Sequence, residues 1–360
     1  MRRIGFLDGF RGFAILLVIL FHAFSCWIGQ VPYGDRFANL FPFKQGFLGV
    51  QLFFLISGFV IIMSLEKTNN FIEFIYKRWI RLFPAMLIAT ILIFSTVPLI
   101  VERLNGIPRL QDAIPGLIFI QANDIKKIFH IDVLDLENPF WSLYVEVKFY
   151  FVFGFLYYFL GTRKAIWSIF GLFIVWCILT CFNNLLFTQI NYLYLLLKNL
   201  GVVNYGWFSS GAMAYLYYIN RDKKDLLYAI IFGLLSVLML SGIKNIIFML
   251  VLLIFFISAI CYEKFAIYFN NKFLLFYGFI SYPLYLIHES AMIGLIVKIR
   301  NFTDLIPDIL LPLIPILFLS GVAYMIAKFI EPFVRKLIDS KVQRYLDNIL
   351  SKRKFYKSFK

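Results

Sequence analysis

Apolar runs broken by short polar segments succeed one another along almost the whole chain. A helix needs roughly 20 mainly apolar residues to cross about 30 Å of hydrocarbon. The pattern predicts spans near 10–30, 47–65, 82–101, 141–160, 166–183, 205–219, 227–242, 245–262, 274–298 and 309–331. The expected fold is therefore all-α: a polytopic membrane protein of about ten transmembrane helices, the sixth and seventh being the shortest. The longest polar insert, 102–140, is interrupted by Pro108, Pro115 and Pro139. It is too small for a domain and large enough for a lid or an acceptor-binding loop. No internal repeat stands out, so the reading is one transmembrane domain over 1–333 and a basic tail over 334–360.

Charge orients the spans. Arg2 and Arg3 precede the first; Lys67, Lys77, Arg78 and Arg81 fall between the second and third. Arg163 and Lys164, then Arg221, Lys223 and Lys224, then Lys264 and Lys272 occupy the following alternate connections. The segment after Glu331 carries nine Lys or Arg against two Asp, whereas 102–140 has four Lys or Arg against six Asp or Glu. Under the positive-inside rule an even number of spans with both termini in the cytoplasm fits this distribution. The run after Met-Arg-Arg lacks a small-residue cleavage site and is too long for a signal-peptide core, so it reads as a retained helix.

Composition agrees: 61% of residues are hydrophobic and 15% charged, against near half and a quarter in soluble domains. The net charge of +15 sits in short connections and the tail, which accounts for it without nucleic acid. Cys26, Cys177, Cys181 and Cys261 all lie in apolar segments. Read as small buried residues without ligand or redox-pair spacing, they imply no metal site.

Ionisable groups within the bilayer are costly and mark function by default. His22, Glu146 and His288, the last followed by Glu289, are the prominent ones. At 1.5 Å per residue, His22 lies about 18 Å and His288 about 21 Å from the inner face, with Glu146 about 8 Å below the outer one. All three reach the outer half. Arg11, Arg78 and Arg81 fall at or near the cytoplasmic face. Arg11 and His22, eleven residues apart, share one face of the first span. Arginines grip phosphates through charge-assisted hydrogen bonds. A histidine can take a proton from an attacking hydroxyl while a carboxylate orients it. The set suits a phosphate-rich donor from the cytoplasm and a hydroxyl acceptor from the other side. Structural readings compete: snorkelling for the arginines, and hydrogen bonding within the bundle for the histidines and Glu146. Gly49, Ser57 and Gly58 read as close-packing positions. A transporter or flippase for an anionic lipid-linked substrate uses similar charges, but neither an inverted repeat nor paired broken helices is evident. A membrane sensor or assembly partner is a further alternative.

These residues sit in segments that resemble the acyltransferase 3 family of bacterial membrane acyltransferases. LDGFRGFAILLVILFH (7–22) resembles its opening motif, GVQLFFLISGFVI (49–61) its second-helix motif, and FIYKRWIRLFPA (74–85) its basic stretch. NPFWSLYVEVKFYFVF (138–153), ISYPLYLIHE (280–289) and IEPF (330–333) are similar to its later motifs. The resemblance covers essentially the whole chain. It implies transfer of an acyl group, usually acetyl from cytoplasmic acetyl-CoA, to a hydroxyl of a surface polysaccharide, a lipid-linked precursor or a glycoside. Acyl-CoA is then a co-substrate rather than a bound cofactor. The other partners are the carbohydrate or lipid-linked sugar acceptor and membrane lipids, and the location is the bacterial inner membrane. By the same resemblance His22 and Glu146 are catalytic, Arg11, Arg78 and Arg81 bind the donor, and His288, Ser142, Trp141 and Tyr285 line the acceptor site. Val147 and Lys148 stand where a second acidic residue often follows the glutamate, and Pro332 follows Glu331 without an intervening Arg. The chain leaves no room for the hydrolase-like domain that many relatives carry outside the membrane.

Overall fold

The computed structural model describes residues 4–100, 102–181 and 188–342; residues 343–360 of the expected tail and the end of the fifth expected span lie outside these. Among the described residues the regular elements are all helices. In chain order they are α1 (Gly5–Phe21), α2 (Gly49–Leu65), α3 (Phe71–Thr96), α4 (Ile114–Ile118), α5 (Ala122–Phe129), α6 (Phe140–Leu160), α7 (Thr162–Cys181) and α8 (Thr188–Asn199). There follow α9 (Tyr205–Asn220), α10 (Lys223–Leu238), α11 (Ile243–Cys261), α12 (Glu263–Phe269), α13 (Lys272–Ile287), α14 (Glu289–Phe302) and α15 (Leu313–Met325), with short 3₁₀ and π turns between some of them.

Seven helices among the described residues are long and apolar enough to cross a membrane, and α13 with α14 adds an eighth as a bent pair. The expected sixth and seventh spans are α9 and α10, with 16 residues each. At 1.5 Å per residue each covers about 24 Å, short of a 30 Å hydrocarbon core. The protein is an all-α, multi-pass membrane protein.

Two expected spans are revised. The third begins at Phe71, well before its apolar run, because Asn70 caps the helix by accepting from the Glu73 amide (2.9 Å) and Glu73 accepts in return from the Asn69 amide (2.8 Å). Side chains that satisfy the free amides of a first turn extend a helix upstream. Arg78 and Arg81 therefore ride on α3 instead of lying in the connection before it. The ninth span is not straight: α13 and α14 meet at 79° around His288.

Close approach of backbones fixes the site. α1 packs along α13 and α2 along α9. A Cβ at Gly12 would lie 2.0 Å from the Leu274 carbonyl, and one at Gly278 1.9 Å from the Asp8 carbonyl. A Cβ at Gly58 would meet the Phe208 carbonyl at 2.0 Å, and one at Gly49 the Ala14 carbonyl at 2.5 Å. Small residues let membrane helices approach where lipid supplies no hydrophobic drive. Ser57, read as a third packing position, instead donates its hydroxyl to Glu146 (2.5 Å).

Candidate active site

α1 does not end cleanly. The residues that follow it, His22–Cys26, form a π turn, a local widening common at functional sites. The glycine-tight seam with α13 brings this turn against the break between α13 and α14. There His22 Nδ1 lies 2.8 Å from the Val18 carbonyl, and His288 Nδ1 lies 2.8 Å from that of Tyr285. A carbonyl only accepts, so each Nδ1 carries the hydrogen and each Nε2 keeps its lone pair. His288 Nε2 then faces His22 Nδ1 at 3.3 Å as a second acceptor. His22 Nε2 faces Glu289 Oε1, also at 3.3 Å.

Glu289 is nearly inaccessible, at 1% side-chain exposure, while His22 keeps 12%. Three donors converge on its carboxylate: the Trp27 indole donates to Oε1 (3.1 Å), and Asn138 gives Oε2 both its amide (3.0 Å) and its Nδ2 (3.1 Å). His22 becomes a fourth only when its Nε2 is protonated. Asn138 belongs to the 102–140 insert, and so does its neighbour Glu137. Glu137 accepts from the Ser290 amide (2.9 Å), which the broken helix leaves free in the first turn of α14, and pairs with buried Arg103 (2.7 Å). Burial holds the Glu137 carboxyl above the usual carboxylate range, although Arg103 and Ser290 pull it down. The insert thus stoppers the break and clamps the carboxylate that faces His22.

Farther along the bundle is a cavity with mainly apolar walls into which Arg11, Ser57, Arg81, Ser142, Glu146 and Tyr285 bring polar groups. Arg11 reaches it while bonded to Asp8 one turn earlier (2.8 Å). Glu146 accepts from Ser57 and from the Tyr150 hydroxyl, both at 2.5 Å. Tyr285 is shared between the two regions. Its hydroxyl meets Ser142 Oγ and the Pro139 carbonyl, each at 2.8 Å, and its ring centroid is 5.6 Å from that of His288.

The residues expected from sequence therefore separate into groups. His22 and His288 meet; Arg11, Arg81, Glu146, Ser142 and Tyr285 line the cavity. Glu146 does not orient His22. It points into the cavity toward Ser57 and Tyr150, and the carboxylate beside His22 is Glu289. Arg78 is not in the cavity's lining but lies directly behind it: it is buried over the ring of Tyr150, a lining residue, with Cζ 5.1 Å from the centroid, and among the described residues its Nε has no hydrogen-bond partner. Trp141 turns outward, its ring edge-on to Phe54, and does not line the cavity. Glu289 is visible in sequence as the residue after His288, and Asn138 as the first residue of the 138–153 motif, but Trp27 and Glu137 carry no signal of their own.

Residues 4–329 match the model of the acyltransferase 3 family, described as an acyltransferase domain. The O-acetyltransferase OatA of Staphylococcus aureus strain NCTC 8325 is 31% identical over 170 residues, covering 44% of this chain and 25% of OatA. A protein of strain COL provisionally named as an O-acetyltransferase is 29% identical over 164 residues, 42% of this chain and 24% of that protein. The matches thus span about a quarter of the length of these curated relatives. No solved structure matches the chain. With motifs, membrane fold and a family match over nine-tenths of its length in agreement, the chain belongs to the acyltransferase 3 family.

Proposed function

We propose that the protein is an O-acyltransferase of a bacterial inner membrane. It moves an acyl group, acetyl in the first instance, from cytoplasmic acyl-CoA to a hydroxyl of a surface-polysaccharide or lipid-linked sugar. Both termini face the cytoplasm and the 102–140 insert faces outward, as the charge distribution favours. Family membership and relatives named as O-acetyltransferases support the class of reaction. The observation that carries the mechanism is the His22–Glu289 pair.

Arg11 and Arg81 offer the donor two guanidiniums at the cavity, and the thioester reaches His22 past Tyr285. The acceptor hydroxyl enters from the outer side, beside Glu289. Its proton passes to His22 Nε2 as its oxygen attacks the thioester carbonyl, and Glu289 stabilises the imidazolium that forms. The C–S bond breaks, the new C–O bond remains, and the imidazolium returns its proton to the departing thiolate. The 3.3 Å gap between His22 Nε2 and Glu289 suits this role, because catalytic contacts are often long before substrate binds.

The test is transfer of labelled acetyl from acetyl-CoA into glycan or lipid-linked sugar in membranes carrying the protein. Incorporation with the wild type and its loss with His22→Ala is the expected result. Undiminished transfer by His22→Ala overturns the role of His22. Movement of a lipid-linked sugar across the membrane without consumption of any acyl-CoA overturns the function and favours a flippase.

A further inference from the structure

His22, Cys26 and Glu289 present one imidazole nitrogen, one sulfur and one carboxylate oxygen within 4.8 Å of one another. Two features make this more than an accident of packing. The Val18 carbonyl fixes the hydrogen on Nδ1 of His22, so a bare Nε2 confronts a carboxylate oxygen 3.3 Å away. Two acceptors at that distance need a positive species between them, either a proton or a metal cation. The second feature is the spacing: Cys26 follows His22 by four residues, about one turn, so both side chains lie on the side that faces Glu289.

We infer that His22, Cys26 and Glu289 form a three-ligand site for a zinc-class divalent cation, and that filling it silences the histidine. The donor set selects the ion. A thiolate, an imidazole and one carboxylate suit zinc or cadmium, whereas calcium and magnesium demand oxygen ligands. Zinc bonds of about 2.0–2.3 Å place neighbouring tetrahedral ligands roughly 3.3–3.6 Å apart. His22 and Glu289 already stand at that separation, and the Cys26 sulfur lies within 4.8 Å of both. A fourth position stays open, as in zinc sites with three protein ligands.

Binding displaces the thiol proton of Cys26 to solvent and ties up the Nε2 lone pair, so the ion and an incoming hydroxyl proton compete for one electron pair. The site itself stands without the catalytic reading; only the silencing rests on it. His22 keeps 12% of its side chain exposed, which leaves an ion a way to the site.

The experiment uses the purified full chain in detergent or nanodiscs and cadmium as the probe, read by the ultraviolet thiolate-to-cadmium charge-transfer band. One band-forming site per chain is expected in the wild type, lost in Cys26→Ser and Cys26→Ala. Losing an outer-shell partner alone weakens a metal site about 10–100-fold, so losing the thiolate should weaken binding by at least about tenfold. Zinc should inhibit wild-type acyl transfer, whereas Cys26→Ser transfers normally and resists zinc. A thermal melt of each variant checks that it is folded. A band that survives in Cys26→Ala, carried by Cys177, Cys181 or Cys261, overturns the site, as does a wild type with no band. Equal zinc inhibition of wild type and Cys26→Ser overturns the silencing. A Cys26-dependent band in a protein without any transferase activity supports the metal site and tells against the proposed function alone.

Discussion

Glu289 stands where the helix breaks, and its Oε1 meets His22 Nε2 at 3.3 Å while Trp27 and Asn138 hold the rest of the carboxylate. Glu146, the glutamate that the motifs single out, has its own partners one cavity away. The structure therefore offers two carboxylates with different work. Glu289→Gln should keep the fold and lower kcat far more than it raises KM, because it removes charge opposite the imidazolium. General acid–base groups contribute about 10²–10⁴-fold, and His22→Ala should lose that much. Glu146→Gln should act through donor KM instead. Equal kcat in Glu289→Gln and wild type would sink the orienting role.

The arginines separate in the same way. Arg11 and Arg81 line the cavity, whereas Arg78 is packed over Tyr150 and bonds only weakly to the Val60 carbonyl (3.5 Å). Hydrogen bonds to charged groups contribute about 1.5–3 kcal/mol, roughly 10–100-fold in affinity. Arg81→Ala should raise the KM for acyl-CoA by that factor with the melting temperature held. Arg78→Ala should lower the melting temperature and leave KM near the wild-type value. The opposite pattern in steady-state kinetics would return Arg78 to the donor site.

Which parts of this were legible in the sequence follows from what carries each signal. Spans written in apolar runs were readable, and helices occupy all ten expected positions among the described residues. Arg78 and Arg81 were misplaced because a cap at Asn70, which hydropathy ignores, sets the start of α3. The break at His288 was hidden for a different reason: 274–298 is apolar enough overall to read as one span, even with His288, Glu289 and Ser290 near its middle. What stabilises the bend is Glu137, brought to the Ser290 amide by an insert remote in sequence. Nothing in the spacing of the four cysteines sets Cys26 apart; its nearness to His22 one turn away and to Glu289 is a property of the folded bundle. Pairings such as Trp27 with Glu289 are properties of the folded bundle, and no local pattern announces them.

The insert carries its own acid sensitivity. Arg109 bonds Asp112 through its amide (2.8 Å) and guanidinium and reaches Asp132 (3.0 Å), while Asp112 also accepts from the Leu134 amide (2.9 Å). For Asp112 burial pushes the carboxyl up, but the Arg109 and Leu134 donors outweigh it and hold it below the usual range; hydrogen bonds from Arg109 and Lys126 lower Asp132. Groups depressed on folding stabilise above the ordinary carboxylate pKa of about 3.9 and lose that contribution as pH falls through their folded values. Protection of the amides across 105–135, taken relative to their intrinsic exchange rates, should therefore fall below about pH 4 more than protection in α2. An acid profile of the insert that tracks the bundle would remove the clasp from consideration.

The seam between α1 and α13 should tolerate no side chain. A Cβ at Gly278 meets the Asp8 carbonyl at 1.9 Å, with backbone on both sides and nothing flexible to yield. Overpacking of this kind costs about 1–3 kcal/mol. Gly278→Ala should lower the melting temperature and also the transfer rate, since the same seam sets His22 against His288. Gly171, where an added Cβ meets nothing, is the control: Gly171→Ala should change neither. A Gly278→Ala protein with wild-type kcat would mean that the site does not depend on this packing.

The pair Arg103–Glu137 separates stability from function. Its two side chains are 3% and 1% exposed, and Glu137 holds both the guanidinium and the Ser290 amide. Glu137→Ala leaves a buried cation without a partner, which costs about 3–5 kcal/mol. Replacing both partners, as in Arg103→Met with Glu137→Leu, removes that penalty, because a buried ion pair and a packed apolar pair are often nearly equal in energy. The double variant should therefore recover most of the melting temperature. It still leaves the Ser290 amide unpaired in the first turn of α14, at about 1–3 kcal/mol, so Glu289 loses its fixed position beside His22. Stability should return while transfer stays depressed. If transfer returns with it, Glu137 serves only to hold the insert in place, and the break at His288 keeps its geometry without help.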